Sequence, residues 1–191
     1  MVKPKFKLEM NFNLNNIKLD LHKELNLIGG IIVKDHKDRL ESSTDVNGKP
    51  LKKLRPNTIA SKRAKGYAKP TKPLIATGTL QKLPPYKKAT PRKQSVEVEV
   101  AKSRKIIGNI HQQGTKPYTI KPKRKPRLVF ETTTGTAFAK TVKHTGVPKR
   151  EFWGITREVS SKAMKFIELE VERILRNVWT WRITSNWSIF G

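Results

Sequence analysis

Residues 156–178 read TREVSSKAMKFIELEVERILRNV. Val159, Ala163, Phe166, Ile167, Val171, Ile174, Leu175 and Val178 recur every three or four positions, so one stripe of a helix is apolar. Thr156 is placed to cap this helix, and Glu158 falls in its first turn, where the helix dipole favours an acid. Glu168, Glu172 and Arg176 line the opposite face, the last two as a favourable i,i+4 pair. A helix with a single apolar stripe needs a second layer to cover it.

Candidates for that layer lie upstream. Phe6, Leu8, Met10, Phe12 and Leu14 alternate with polar residues, the period of a half-buried strand. Asn15 or Asn16 can cap a following helix, in which Ile17, Leu21, Leu25, Ile28, Ile32 and Leu40 keep helical spacing. Gly29-Gly30 interrupts it and marks a kink or a close contact. Ser95–Val100 alternates strictly and predicts a strand, with Ile106–Ile110 as its hairpin partner across Lys102–Lys105. Leu128-Val129-Phe130 and Thr136–Val142 predict another strand pair around Thr134-Gly135. The expectation is an α+β fold: a small, mostly antiparallel sheet packed against an N-terminal helix and a long C-terminal helix. Residues 1–178 are read as one domain with an extended basic loop over 49–93, and 179–191 as an aromatic assembly tail.

Charge is distributed unevenly. The 191 residues carry 41 Lys and Arg against 15 Asp and Glu, a formal charge of +26. Between Val46 and Val96 there are fourteen cations and no acid: Lys49, Lys52, Lys53, Arg55, Lys62, Arg63, Lys65, Lys69, Lys72, Lys82, Lys87, Lys88, Arg92 and Lys93. A second run follows at Lys121, Lys123, Arg124, Lys125 and Arg127. Like charge at this density repels itself unless a polyanion neutralises it, so these residues are the candidate contacts to nucleic acid or an acidic partner. Prolines at 50, 56, 70, 73, 84, 85 and 91 argue against long elements in the band, which leaves room for a short helix from Asn57 or Thr58 to Lys65. No helix-turn-helix, zinc-finger or aromatic sheet motif accompanies the charge, so binding is expected to follow the backbone and ignore sequence.

Catalysis finds little support. The chain has no cysteine, which excludes disulfides, thiolate metal sites and a Cys nucleophile. His22, His36, His111 and His144 are not spaced as metal ligands, and His36 with its neighbours Asp35 and Asp38 reads as solvated. Glu97 and Glu99 read as an exposed strand face. A nuclease would need clustered carboxylates, which the band lacks. No enzyme, cofactor or metal is expected. No apolar run approaches the ~20 residues that cross a bilayer. Trp179, Trp181, Trp187 and Phe190 make the C-terminus too apolar for water and predict an interface.

Four phrases in order resemble the virion morphogenesis (tail-completion) proteins of tailed phages, typified by phage Mu. They are Asp45-x-Asn47-Gly48-x-Pro50-Leu51 with Thr58 and Lys62; Leu74–Leu80 with Thr77-Gly78; Ile110-His111-Gln112-Gln113-Gly114; and Val147–Thr156 with Pro148, Arg150, Phe152 and Gly154. The stretch from Ile120 to Phe130 is similar to head–tail joining proteins of long-tailed phages. Departures are the basic insert Lys62–Lys72, Trp153 where Leu is common, and the aromatic tail. The resemblance implies a structural neck component: a homo-oligomeric ring, sixfold in the family, around the DNA channel at the head–tail junction. Its implied partners are head-completion or adaptor proteins, tail-terminator or tail-tube proteins and genomic DNA. Its implied location is the virion, reached by way of the host cytoplasm during assembly. The motif residues are expected to set turns and core plugs, with Arg150 and Phe152 fixing the last helix. The alternative is a free, sequence-nonspecific nucleic-acid-binding protein of ribosomal or nucleoid type.

Overall fold

Leu25, Ile28, Ile32, His36 and Leu40 are all buried and recur at three- and four-residue steps along helix α1 (His22–Ser42), with Arg39 buried beside Leu40 and Leu21 buried just ahead of the helix. A computed structural model describes residues 5–9, 19–83, 85–132 and 135–187. Strand β1 (Lys5–Glu9) precedes α1; helix α2 (Pro56–Ala64), strand β2 (Ser95–Glu99) and helix α3 (Lys105–Gln113) follow it. Strands β3 (Tyr118–Ile120), β4 (Leu128–Thr132), β5 (Gly135–Ala139) and β6 (Val142–His144) lead into the long helix α4 (Arg157–Trp187). The class is α+β. Its strands are shared among three two-stranded sheets, β1–β2, β3–β6 and β4–β5. The last two are antiparallel, pairing Thr119 with Lys143 and Phe130 with Ala137.

The chain forms two compact units, one from 36–84 and 99–154, the other from 5–35, 85–98 and 155–191. In the second unit, α1 lies close against the 86–96 segment. A Cβ on Gly29 would stand 2.9 Å from both Tyr86 and Val96, which accounts for a glycine in mid-helix. Asn26 exchanges two hydrogen bonds with the backbone of Ala89 (3.0 and 2.8 Å). Gln94 accepts from the Leu21 amide (3.0 Å) and donates to Asp20 (2.8 Å). Gln94 first, and then His22, hold the Asp20 carboxyl down at about 2. In α4, Thr156 caps the helix through the Val159 amide at 3.2 Å, as expected. Val159, Ala163 and Ile167 are buried, whereas Phe166 is exposed, so the stripe is narrower than the sequence predicts.

The first unit is organised around 150–154, an irregular stretch with bends at Trp153 and Gly154 and outside any sheet. Phe152 N–H is met locally by the Arg150 carbonyl (2.9 Å), and distant partners meet other backbone groups of the stretch, since buried peptide groups need partners. Arg150 N–H donates to the His111 carbonyl (2.8 Å), and the Glu151 carbonyl accepts from Val46 (3.0 Å). Arg39 forks onto the carbonyls of Phe152 (2.8 Å) and Gly154 (3.0 Å). The Gln112 amide pairs with both backbone groups of Trp153 (2.9 and 3.0 Å). Phe152 is 1% exposed and fills the space beside Gly108 and His36.

Several expectations are corrected. Ile106–Ile110 is part of helix α3, not a hairpin strand. Ile106, Ile107 and Ile110 share helical spacing, and β2 takes β1 as its partner instead. The 110–114 phrase therefore closes a helix. His36 is 1% exposed rather than solvated: its Nε2 meets the Leu80 carbonyl at 2.9 Å, and Trp153 packs edge-on to the ring. Glu97 is buried in β2 beneath Lys87 (3.0 Å) and Lys93 (3.7 Å), because the 87–97 bridge covers the edge opposite β1. Helix α1 begins at His22 behind Asp20; Asn15 and Asn16 lie outside the described residues.

Gly114 ends α3 at φ +72°, ψ 178°, a region nearly exclusive to glycine, and a Cβ there would meet the Lys149 nitrogen at 2.8 Å. Gly48 also has positive φ (+76°) but faces open space. Gly114→Ala should lower the urea-unfolding free energy by about 2–4 kcal/mol. Gly48→Ala should cost only the left-handed backbone penalty, about 1–2 kcal/mol.

Candidate polyanion and assembly surface

The four sequence phrases meet in the first unit. Asp45 closes the 45–49 turn by accepting from the amides of Asn47 and Lys49, each at 2.8 Å. That turn docks on Glu151 through Val46 and through Asn47 (3.4 Å). The 74–80 phrase ends at Leu80, whose carbonyl holds His36. Gly78, at φ +77°, starts the turn that leads to Gln81 and Lys82. Gly114 allows Thr115 N–H to reach the Val147 carbonyl at 2.9 Å. Pro148 and Gly154 flank the Arg150–Phe152 hub. Arg150 donates from Nε to the Lys52 carbonyl (3.0 Å), so it fastens the start of the basic band. Neither Arg39 nor His36 is marked by any short motif; the helical period that buries Leu40 and Ile32 is the signal that could have placed them inside.

Lys62 is the one band cation that is buried. Its ammonium donates to the carbonyls of Lys69 (3.0 Å), Lys72 (2.8 Å) and Ile75 (2.5 Å). Burial lowers its pKa. This clamp curls the 69–75 segment and holds Leu74 at φ +61°, a conformation rare for a bulky residue. Lys62 is therefore a scaffold residue, not a surface contact.

The remaining band cations stay outside. Lys49, Lys52, Lys53, Arg55, Arg63, Lys65, Lys82, Lys88 and Arg92 are exposed, as are Lys121, Lys123, Arg124, Lys125 and Arg127. Half-buried Lys72 binds the Glu41 carbonyl at 2.7 Å. Among the described residues, only Lys69, Lys87 and Lys93 of the fourteen pair with a carboxylate: Glu41 for the first, Glu97 for the other two. Eleven lack one. Pairing by Lys69 and Gln81 lowers the Glu41 pKa. Trp179, Trp181 and Trp187 fall within α4, with side chains outside the description; Phe190 lies outside the described residues. Among the described residues, no group of three or more His, Asp or Glu is placed to hold a metal ion, and no helix is long and apolar enough to cross a membrane.

A small scaffold that turns its polar side chains on its own backbone and leaves its cations on the surface has the make-up of a binding or assembly protein. The model of the phage virion morphogenesis family matches residues 9–172. The chain belongs to that family and is a phage structural or assembly protein. No match to it was found among curated proteins or solved structures.

Two measurements test this arrangement. Lys62→Met strands three carbonyls and should destabilise the protein by about 2–4 kcal/mol in urea unfolding, while Arg63→Met stays within about 0.5 kcal/mol. His111 has its pKa lowered, by burial and then by Arg150, and its buried Nδ1 has no hydrogen-bond partner among the described residues. The folded state thus favours neutral His111, and its contribution is complete above pH 6.5 and lost as pH falls below that value. His111→Gln should flatten the pH dependence of stability in that window.

Proposed function

We propose that this chain is a neck or tail-completion protein that assembles as a homo-oligomeric ring at the head–tail junction, with exposed band cations turned toward the passing DNA. The observation that carries this reading is a family member with nine exposed band cations that have no carboxylate partner among the described residues. A conduit for a genome needs positive charge that ignores sequence, and phosphate neutralisation supplies that. The role is structural, without a reaction. Six copies is the ring size that the family resemblance implies. Head-completion or adaptor proteins on one side and tail-terminator or tail-tube proteins on the other are the expected neighbours. Lys49, Lys52, Lys53, Arg55, Arg63, Lys65, Lys82, Lys88 and Arg92 are the proposed contacts of the band, with the 121–127 run as a second set. The aromatic C-terminus is a proposed subunit or partner contact. Charge alone would also serve a free nucleic-acid-binding protein, which predicts monomers on DNA and no ring.

Mass photometry of the purified chain, alone and mixed with the phage's other neck and tail proteins, separates the two. A discrete multiple of the 21.9 kDa subunit, or co-assembly onto tails, is expected. Monomers that never join tails would refute the ring.

A further inference from the structure

Basic and imidazole side chains line a cleft of about 490 Å³ within the first unit, formed by residues 52–55, the end of α3 and residues 144–150. Lys52, Lys53, Arg55, His111, His144 and Arg150 line it, and no carboxylate does. Arg150 is 5% exposed. Among the described residues its guanidinium meets only carbonyl oxygens, those of Lys52 at 3.0 Å and Lys53 at 3.5 Å. A cation buried without a counter-charge is destabilising, and an anion seated beside it removes the penalty. His144 is prepared in the same sense. Its Nδ1 accepts the Gly146 amide at 3.0 Å, which leaves the ring proton on Nε2 as a donor. Tyr118 stacks on that ring with centroids 4.7 Å apart and steadies it. Arg55 is tied to the rim by a hydrogen bond to Thr145.

We propose that this cleft is a phosphodiester subsite, in which Arg150, Lys52, Lys53 and His144 hold phosphate oxygens of a nucleic-acid backbone. Two lysines and two arginines exceed what one partner carboxylate would neutralise, whereas successive phosphates bring one charge each. The fixed fork of a guanidinium also suits phosphate oxygens. The inference rests on the reading of DNA as the neighbouring polyanion, and does not depend on a ring.

The test uses the full chain and a fluorescent 20-base-pair duplex, with affinity followed by anisotropy across a salt series. Lys52→Ser/Lys53→Ser alters two exposed side chains and spares the buried Arg150. It should reduce the slope of log affinity against log salt by about two and weaken binding roughly tenfold or more at 0.1 M salt. Lys102→Ser/Lys140→Ser removes the same charge from exposed positions of the unit that lie outside the proposed contacts, and should do less than half of each. Bound duplex should also shield Lys52 and Lys53 from acetylation, and His144→Gln should weaken binding at temperatures well below the variant's own melting transition. Equal losses from the two double variants, or unshielded Lys52 and Lys53, would overturn the subsite and leave the ring intact. A polyglutamate peptide that competes as well as DNA, charge for charge, would also overturn it, because the cleft would then be a protein contact. Monomers that bind duplex through this cleft would keep the subsite and remove the ring.

Discussion

Five consecutive residues, Arg150–Gly154, carry the first unit, and they do so without belonging to a sheet. Their backbone groups are hydrogen-bonded by the 45–49 turn, by the C-terminal end of α3, and by the Arg39 guanidinium from α1. A strand in a sheet would have its peptide groups met by a neighbouring backbone. Here Arg39 and Gln112 take that part, and Phe152 plugs the centre. One of the four family phrases contains this stretch; those at 45–51 and 110–114 bond to its backbone, and the one at 74–80 reaches it through His36, which packs beside Phe152. Changes at any wall should be felt at the others, since the partners share one segment.

The second constraint is electrostatic. The scaffold places few acids near the band, and those present are already committed: Glu41 to Lys69, and Glu97 to Lys87 and Lys93. A free subunit therefore carries a self-repulsion that a polyanion relieves, so binding and folding are linked. Under the proposed function, joining DNA or an acidic neighbour would stabilise such a chain, which suits a component that works in an assembly. The cleft around Arg150 brings the two constraints together, because the residue that fastens the hub to the band is itself a buried cation.

Much of the fold was legible from period alone. The α4 stripe with its Thr156 cap, the α1 stripe and a short helix in the band follow from local pattern, and so does the pairing of 128–132 with 135–139, although the expected strand 136–142 breaks after Ala139 and Val142 starts β6. What local pattern cannot show is which strand finds which partner. Val96 and Val98 alternate correctly, but the choice of β1 over 106–110 depends on contacts remote in sequence. Burial of polar groups was the other blind spot. His36, Arg39, Lys62 and Glu97 look solvated one at a time, and each is inside because a distant carbonyl, ring or lysine completes it. The family phrases marked four separate stretches, yet not the fact that the chain brings them together in one unit. Nor does sequence alone bring His144 and Arg150 to one cleft with Lys52.

The central claim is that the exposed cations of 49–93 stand beside a dense negative partner within a multi-subunit phage structure. A reconstruction of the intact virion by electron cryo-microscopy addresses it directly. Several copies of this chain are predicted around the tail axis at the neck, with these lysines and arginines lining the path of the DNA. Density for the chain elsewhere in the particle, or at the neck with the same cations pointing into open solvent, would contradict the account.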